Sequence, residues 1–276
     1  MAGGLRHDVP MCGRFAVTTD PARLAEEIDA LNETGLRAAA PNYNVAPTTD
    51  IAVVVARHDV SDDQRAAAQR PALTTPPTRR IRLMRWGLLP SWVKAGPDGA
   101  PQPKNLLINA RAESVTTSPA YRSAASHRRC LIPMDGYYEW RPADDPKRGR
   151  KTPFYFSRPD GRPLLVAGLW SVWRPGPQAD PMLSCTVITT DAVGEFAEVH
   201  DRMPLVLAAA DWDRWLDPDA TAPADLLAGT PAVGPMTMRA VSTLVNNVTN
   251  NGPELIEPAG GGDQFTAGGN QPVGLF

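Results

Sequence analysis

The apolar residues of this chain come in short runs separated by proline, glycine and aspartate, and this spacing constrains the fold more than any other feature. The longest runs, such as residues 51–56, fall far short of the roughly 20 residues that a membrane-spanning helix needs. The 276 residues include 29 prolines and 22 glycines, which is typical of a loop-rich fold rather than a helical bundle. We therefore predict a single α+β domain with a curled, barrel-like antiparallel β core, flanking short helices and no membrane segment.

Local patterns place the individual elements. Asp20 followed by Pro21 predicts a helix start before an apolar periodicity over 23–31, and Ser-Pro at 118–119 predicts a second helix to about residue 128. A third helix is predicted at 211–216. The Pro-Asp-Gly sequence at 159–161 predicts a tight hairpin between two strands. The predicted strands cover residues 12–18, 51–56, 81–88, 130–133, 137–140, 153–157, 164–173 and 185–190.

Three segments lie outside this pattern. Residues 1–10 carry no periodicity and no targeting signal, so we expect a flexible leader. Residues 61–80 are polar and rich in proline, which predicts a mobile loop inserted between strands. Residues 259–276 are rich in glycine and are expected to form a frayed tail. No linker divides the remaining residues, 11–258, into two domains.

The cysteines and histidines favour a reducing setting and no metal. Cys12, Cys130 and Cys185 cannot all pair with one another, and no signal peptide precedes them. The expected location is therefore the cytoplasm, with free thiols. Neither the cysteines nor the four histidines have the spacing of metal ligands, and we predict no metal and no cofactor.

Although the net charge of the chain is only −2, its middle segment is strongly basic. Residues 79–151 contain 15 lysines and arginines against 6 acidic residues, and they hold several aromatic side chains. Cations for phosphates and flat faces for bases are what single-stranded nucleic acid requires. Composition alone leaves the alternative open that these are solvated charges beside core aromatics.

Cys12 is the first residue that could carry chemistry. If translation began at Met11, removal of that methionine would leave an N-terminal cysteine, with an amine and a thiol on adjacent carbons. Reference pKa values of about 8 for the amine and about 8.5 for the thiol leave both partly reactive near neutral pH. Such an aminothiol condenses with an aldehyde to a five-membered thiazolidine. The alternative is an ordinary small apolar cysteine in the first strand.

Three further polar residues stand out. Glu139 lies in the aromatic segment Gly-Tyr-Tyr-Glu-Trp at 136–140, where desolvation could tune its carboxyl for proton transfer, although an outward-pointing edge position is equally consistent. His200 is a potential proton shuttle, and Arg202 shares its face if the segment is extended. Asn109, Arg111 and a glutamate alternate at 109–113, a pattern suited to sugar and phosphate contacts.

Together these segments resemble the SOS response-associated peptidase (SRAP) family from Met11 to about Pro258. The motifs that carry the resemblance occur in order: Met-Cys-Gly-Arg-Phe (11–15), Tyr-Asn-Val-Ala-Pro-Thr (43–48), Arg-Trp-Gly-Leu-Leu-Pro-Ser-Trp (85–92), Asn-Ala-Arg-Ala-Glu (109–113), Arg-Cys-Leu-Ile-Pro-Met-Asp-Gly-Tyr-Tyr-Glu-Trp (129–140), Ala-Gly-Leu-Trp (167–170), Thr-Thr-Asp-Ala (189–192) and His-Asp-Arg-Met-Pro (200–204).

The resemblance implies a fold, an activity and a set of site residues. Family members have a compact α+β domain with a barrel-like core, and they sense abasic sites in single-stranded DNA during the DNA damage response. Their N-terminal cysteine forms a thiazolidine with the open-ring sugar. By this resemblance the catalytic residues are Cys12, Asn109, Glu139 and His200, and the DNA contacts come from Arg14, Trp86, Trp92, Arg111, Trp140 and Arg202. The expected partner is abasic single-stranded DNA, bound by a monomer, with slow lyase activity as a side reaction.

The leader is where the chain departs from this pattern. With residues 1–11 attached, the Cys12 nitrogen is an amide and cannot form an imine. Either Met11 is the true start or the leader is cleaved away, and we favour the first. Two rival functions stay open: a thiol peptidase or hydrolase that uses Cys12 with His200, and a non-covalent binder of single-stranded DNA.

Overall fold

The computed structural model describes residues 12–35, 40–59, 76–143, 149–229, 231 and 234–260, with the backbone of 264–266. Its strands are β1 Arg14–Val17, β2 Leu31–Asn32, β3 Asn42–Val45, β4 Asp50–Arg57, β5 Thr78–Trp86, β6 Asn109–Arg111, β7 Arg129–Met134, β8 Gly136–Arg141, β9 Thr152–Ser157, β10 Leu164–Trp173, β11 Met182–Asp191, β12 Arg202–Pro204, β13 Thr237–Ala240 and β14 Gln264–Thr266. Its α-helices are α1 Pro21–Glu27, α2 Arg122–His127, α3 Trp212–Leu216 and α4 Ala224–Ala228. Short 3₁₀ segments lie at Gly194–Glu198, Ala209–Asp211, Thr243–Asn246 and Pro253–Leu255.

The strands β4, β5, β11, β10 and β7 form a closed barrel. Neighbouring strands run antiparallel except at the closing pair, where Cys185 of β11 lies beside Trp86 of β5 in parallel register. A parallel pair needs a long connection, and the many residues between β5 and β11 provide one. The α+β prediction with a barrel-like core is confirmed, with the correction that the core is not wholly antiparallel.

A second sheet, in the order β14-β13-β9-β8-β1-β3, packs against the barrel. Phe15 of β1, Tyr137 of β8 and Phe156 of β9 share one hydrophobic core with Val53 and Val166 of the barrel strands. This packing places the start of β1 and the middle of β8 at the junction of the two layers. Both candidate residues Cys12 and Glu139 therefore lie at that junction.

The helices pack on the outside of the barrel. Helix α1 begins as predicted: the Asp20 carboxylate accepts a 2.7 Å hydrogen bond from the Ala22 N–H, and Pro21 opens the helix. Helix α2 begins at Arg122, later than predicted, because the Ser118 carbonyl accepts the N–H groups of both Tyr121 and Arg122 and closes a turn first. No helix among the described residues is long and apolar enough to cross a membrane.

The hairpin predicted at 159–161 is wrong. The turn itself is present, with Gly161 in the left-handed region at φ 69°. However, β9 pairs with β8 and β13 in the second sheet, whereas β10 pairs with β7 and β11 in the barrel. Both strands are buried along nearly their whole length, so each needs neighbours on both edges rather than one hairpin partner.

The three irregular segments are only partly described. The predicted loop at 61–80 ends earlier than expected, because Thr78–Trp86 already forms β5, and residues 60–75 lie outside the described residues. In the tail, Gln264–Thr266 pairs with β13, which corrects the expectation of a tail frayed throughout. Residues 261–263 and 267–276 lie outside the described residues, as does the leader with Met11.

Candidate active site

Cys12 and Glu139 are in direct contact. The Cys12 N–H, just before β1, donates a 2.6 Å hydrogen bond to Glu139 Oε1 on the neighbouring strand β8. Both residues are buried, with 4% and 3% of their surface exposed. In this chain the Cys12 nitrogen is a peptide amide, and it stands where the α-amine of an N-terminal cysteine would lie. The Glu139 side chain therefore points inward, and the alternative of an outward-pointing edge position is wrong.

Burial sets the protonation of this pair. It raises the pKa of the Glu139 carboxyl, while the positive charge of His200 and the hydrogen bonds from Cys12 oppose that rise. Burial also raises the pKa of the Cys12 thiol well above its ordinary range, and the negative charge of Glu139 raises it further. The thiol is therefore neutral near pH 7 and hydrogen-bonds the carboxyl. A carboxyl with a raised pKa beside an amine position and a thiol can pass protons between them.

His200 enters from the loop before β12. Its Nδ1 accepts a 3.0 Å hydrogen bond from the Arg202 N–H when the ring is neutral, and it lies 3.1 Å from Asp201 Oδ1, to which it donates when the ring is protonated. In the neutral ring, Nε2 carries the proton. Both states therefore keep a hydrogen-bond donor on Nε2, and the protonated ring can give that proton to a departing oxygen.

Glu139 and His200 line one open pocket of about 360 Å³. The other lining residues are Gly13, Arg14, Pro47, Ile108, Trp140 and Lys151. Asn109 follows Ile108 at the start of β6, where it pairs with Val187 of β11 and is half-buried. Of the four predicted catalytic residues, Glu139 and His200 line this pocket, Cys12 lies behind its wall in contact with Glu139, and Asn109 follows the wall residue Ile108.

Arg14 is held in place at the pocket wall. Its guanidinium donates 2.8 Å hydrogen bonds to Asn44 Oδ1 and to the Val245 carbonyl. The Asn44 amide in turn donates to carbonyls of the segment 245–250. Sequence reasoning missed Asn44, although it lies in the Tyr-Asn-Val-Ala-Pro-Thr motif. Lys151, the last cation of the basic segment 79–151, was missed as well.

The other two predicted arginines occupy opposite environments. Arg111 is exposed at the end of β6, as a phosphate contact requires. Arg202 is buried, and its guanidinium hydrogen-bonds Asp191, Glu113 and the Thr189 carbonyl. The expectation that Arg202 contacts DNA phosphates is corrected, because the side chain is buried and those partners hold both of its Nη atoms, while its Nε is buried without a partner among the described residues. Its charge nevertheless acts on Cys12 and opposes the rise in the thiol pKa.

The three predicted tryptophans also differ. Trp92 is 61% exposed on the loop between β5 and β6, and Trp140 lines the pocket with its Nε1 donating to Asn246 Oδ1 at 2.7 Å. Trp86 is fully buried, and its Nε1 donates to the Ile108 carbonyl at 3.0 Å. Trp86 therefore presents no face for a base, which corrects the stacking role predicted for it. Within the described ranges, no three His, Cys, Asp or Glu side chains are grouped as a metal site would require.

Comparison with known proteins identifies the relatives of this chain. A family model described as SOS response associated peptidase (SRAP) matches residues 11–248. The abasic site processing protein YoqW of Bacillus subtilis is 33% identical over 249 residues, which cover 90% of this chain and 99% of that protein. The abasic site processing protein HMCES of Gallus gallus is 27% identical, covering 90% of this chain and 78% of that protein. A crystal structure of a Bacteroides thetaiotaomicron protein has the same fold, with a TM-score of 0.67 at 19% identity, covering 90% of this chain and all of that one.

Proposed function

Because the chain belongs to the SOS response-associated peptidase family, we propose that it processes abasic sites in single-stranded DNA by forming a thiazolidine between Cys12 and the open-ring sugar. Relatives named abasic site processing proteins support the DNA substrate. The observation that carries the chemistry is the 2.6 Å contact between the Cys12 nitrogen and Glu139 Oε1, at a carboxyl that lines one pocket with His200.

The first step is imine formation. The neutral α-amine of Cys12 attacks the sugar aldehyde, and the resulting carbinolamine loses water to give a C=N bond. Glu139 lies at the nitrogen, so it takes the proton that the amine must give up. His200, on the same pocket, is placed to protonate the departing hydroxide. The step releases one water molecule and leaves the imine linked to the DNA.

The second step is ring closure. After Glu139 has released the amine proton to solvent, its carboxylate accepts the thiol proton and the sulfur attacks the imine carbon. The C=N electron pair returns to the nitrogen, which takes that same proton back from Glu139. The product is a thiazolidine, one water lighter than protein plus DNA. Closure removes the imine that would drive β-elimination and strand cleavage. Slow lyase activity from imine that has not closed, and slow reversal by reopening of the ring, are side reactions of the same site.

Recognition of the DNA uses charge and stacking. Arg14 and Lys151 line the pocket, and Arg111 is exposed, so all three are positioned to bind phosphates. Exposed Trp92 and the pocket residue Trp140 supply flat faces for bases flanking the lesion. These contacts read no base edge, which fits a lesion that has no base. The proposed setting is the cytoplasm, with the protein acting as a monomer.

The proposal requires a free α-amine at Cys12. A chain that still carries residues 1–11 has an amide there and cannot form the imine. The reactive species must therefore begin at Cys12, either through a start at Met11 or through removal of the leader.

The rival thiol peptidase is less well supported by the site. A peptidase that pairs Cys12 with His200 needs the imidazole to activate the thiol. Here the thiol hydrogen-bonds Glu139, and His200 Nδ1 contacts the Arg202 N–H and Asp201. A non-covalent DNA binder would have no use for a buried carboxyl at the Cys12 nitrogen.

The proposal is tested by intact mass under denaturing conditions. The chain beginning at Met11 is incubated with single-stranded DNA that carries one abasic site, with uncleaved undamaged DNA as the control. We expect a species that starts at Cys12 and is heavier by the DNA less one water. Binding without a mass increase would favour the non-covalent reading, and turnover of a peptide with no adduct would favour the peptidase. The chain beginning at Met1 should form the adduct only after the leader is lost.

A further inference from the structure

Tyr137 carries a buried hydroxyl in the same hydrophobic core as Cys12. Tyr137 is 1% exposed, and its Oη finds no hydrogen-bond partner in the part of the chain that the structure describes. The ring is well packed, stacked on Phe156 with centroids 4.7 Å apart and planes at 4°. The adjacent Tyr138 is different, because its hydroxyl donates a 2.7 Å hydrogen bond to the Tyr43 carbonyl.

The Tyr137 side chain lies on the same face of β8 as Glu139 and in the same core as Cys12. Beyond burial itself, the charges that raise the pKa of the phenol come from Cys12 and then Glu139. The phenol therefore stays protonated and remains a hydrogen-bond donor throughout the pH range in which the site works.

Such a hydroxyl is costly for folding alone. A buried polar group without a partner destabilises the folded state, and a phenylalanine would supply the same ring without that cost. Stacking on Phe156 needs the ring and not the oxygen. The oxygen therefore calls for an explanation outside the stability of the fold.

Ring closure supplies that explanation. While the thiol is protonated, it hydrogen-bonds Glu139; once its proton has moved to that carboxyl, the sulfur is a buried anion that needs a donor. The charged groups acting on the sulfur are Glu139 from β8 and Arg202 from β12. The two Nη atoms of Arg202 are held by Asp191, Glu113 and the Thr189 carbonyl, whereas its Nε has no hydrogen-bond partner among the described residues. The Tyr137 hydroxyl is the neutral uncommitted donor in the same core as Cys12.

We propose that Tyr137 is a further catalytic residue, whose hydroxyl donates a hydrogen bond to the Cys12 thiolate as it attacks the imine carbon. This inference rests on the proposed function. The thiol proton goes to Glu139, the C–S bond forms, and the C=N pair returns to nitrogen, which takes that proton from Glu139; the phenol keeps its own proton. Tyr137 thereby assists closure and takes no part in imine formation.

The test compares Tyr137→Phe with Tyr138→Phe in the chain beginning at Cys12. One arm follows alkylation of the Cys12 peptide by iodoacetamide against pH, which reports the thiol pKa without DNA. A second arm measures formation of the heat-stable adduct with abasic DNA, and a third traps the imine with borohydride. Thermal unfolding is recorded for each variant.

For Tyr137→Phe we expect the alkylation profile to move to higher pH and closure to slow by about tenfold or more, the usual effect of losing a hydrogen bond to a charged group. Imine trapping should be unchanged, and stability should be equal or higher. Tyr138→Phe should lose stability, because it loses the bond to Tyr43, while its alkylation profile and closure rate stay as in the parent.

An unchanged alkylation profile in Tyr137→Phe would overturn the inference. Equal slowing of imine trapping and closure, together with lower stability, would also overturn it, because it would assign the hydroxyl a structural role. If the parent chain forms no adduct at all, the proposed function fails, and the alkylation arm alone still decides whether Tyr137 supports the Cys12 thiolate.

Discussion

The Cys12 N–H and Glu139 Oε1, which belong to residues 127 positions apart in sequence, are joined by a 2.6 Å hydrogen bond that links the start of β1 to β8. The bond places a carboxyl with a raised pKa on the nitrogen of Cys12 as well as on its thiol. A site built only for thiol chemistry would not need an acceptor at the nitrogen. The contact therefore favours reactions that begin at an amine, and it makes the two steps of the proposed chemistry separable.

Replacing Cys12 with alanine should separate those steps. The variant keeps an α-amine beside Glu139, so borohydride should still trap an imine on abasic DNA, whereas the heat-stable adduct should be lost. The measurement is denaturing gel and intact mass, with and without borohydride. Cys185→Ala is the matched control, since it removes one buried thiol from the core outside the pocket and should keep the heat-stable adduct. A heat-stable product from Cys12→Ala would disprove the assignment of the nucleophile.

Replacing Glu139 with glutamine should slow the chemistry and spare binding. Gln keeps an oxygen that can accept from the Cys12 nitrogen but cannot take a proton, so adduct formation should fall by about 10²–10⁴-fold, the usual contribution of a general acid–base group. Affinity for single-stranded DNA, measured by fluorescence anisotropy, should change little. Loss of affinity with an unchanged rate per bound complex would contradict the proton-transfer role.

The same substitution should change how stability depends on pH. Burial raises the Glu139 pKa above its ordinary value of 4.5, so the folded chain binds this proton more tightly than the unfolded chain does. The contribution is fully present below about pH 4.5 and is lost as pH rises through the raised pKa. In the chain of residues 1–276, Glu139→Gln should therefore gain stability relative to the parent as pH rises above that value.

Urea unfolding between pH 4 and pH 8 measures this difference. Replacement of the exposed Glu195 with glutamine controls for the loss of one negative charge. A stability difference between Glu139→Gln and its parent that stays flat over this pH range would show that the carboxyl titrates normally in the folded state.

Local patterns were sufficient for much of the fold and for part of the site. Short apolar runs predicted the strands, and Asp20 with Pro21 predicted the start of α1, because both signals depend on neighbours in sequence. The predicted hairpin between β9 and β10 is wrong because strand pairing depends on residues far apart in sequence. A turn signal at Gly161 shows that the chain reverses, but it does not show which sheet each strand joins.

Side-chain exposure was the least predictable property. Trp86 and Trp92 belong to one motif, yet the first is fully buried and the second is 61% exposed. Alternation predicted a shared face for His200 and Arg202, but His200 precedes β12 and lines the pocket, whereas Arg202 and the rest of β12 are buried. Tertiary packing decides both matters, since a barrel wall has an inner face that no short segment specifies.

Arg111 and Arg202 test whether exposure separates a DNA-contacting residue from a structural one. Arg111 is exposed, so Arg111→Gln should leave stability unchanged and weaken DNA binding. The slope of log affinity against log salt concentration should fall by about 1, the amount that one phosphate contact contributes. Arg202 is buried with three partners, so Arg202→Gln should cost about 1–3 kcal/mol of stability. Urea unfolding and binding titrations at several salt concentrations measure both. A change in the salt slope for Arg202→Gln without a loss of stability would restore Arg202 as a phosphate contact.

The two tryptophans of the same motif should separate stability from binding. Trp86→Ala removes a fully buried side chain that also donates to the Ile108 carbonyl, so it should destabilise the fold by about 3–5 kcal/mol. Trp92→Ala should leave stability nearly unchanged. It should weaken the binding of single-stranded DNA by about 1–3 kcal/mol, the usual contribution of one stacked base. Thermal unfolding and anisotropy with an abasic oligonucleotide measure the two effects. Equal DNA affinity in Trp92→Ala and its parent would show that the exposed indole does not stack on the strand, and recognition would then rest on the pocket residues alone.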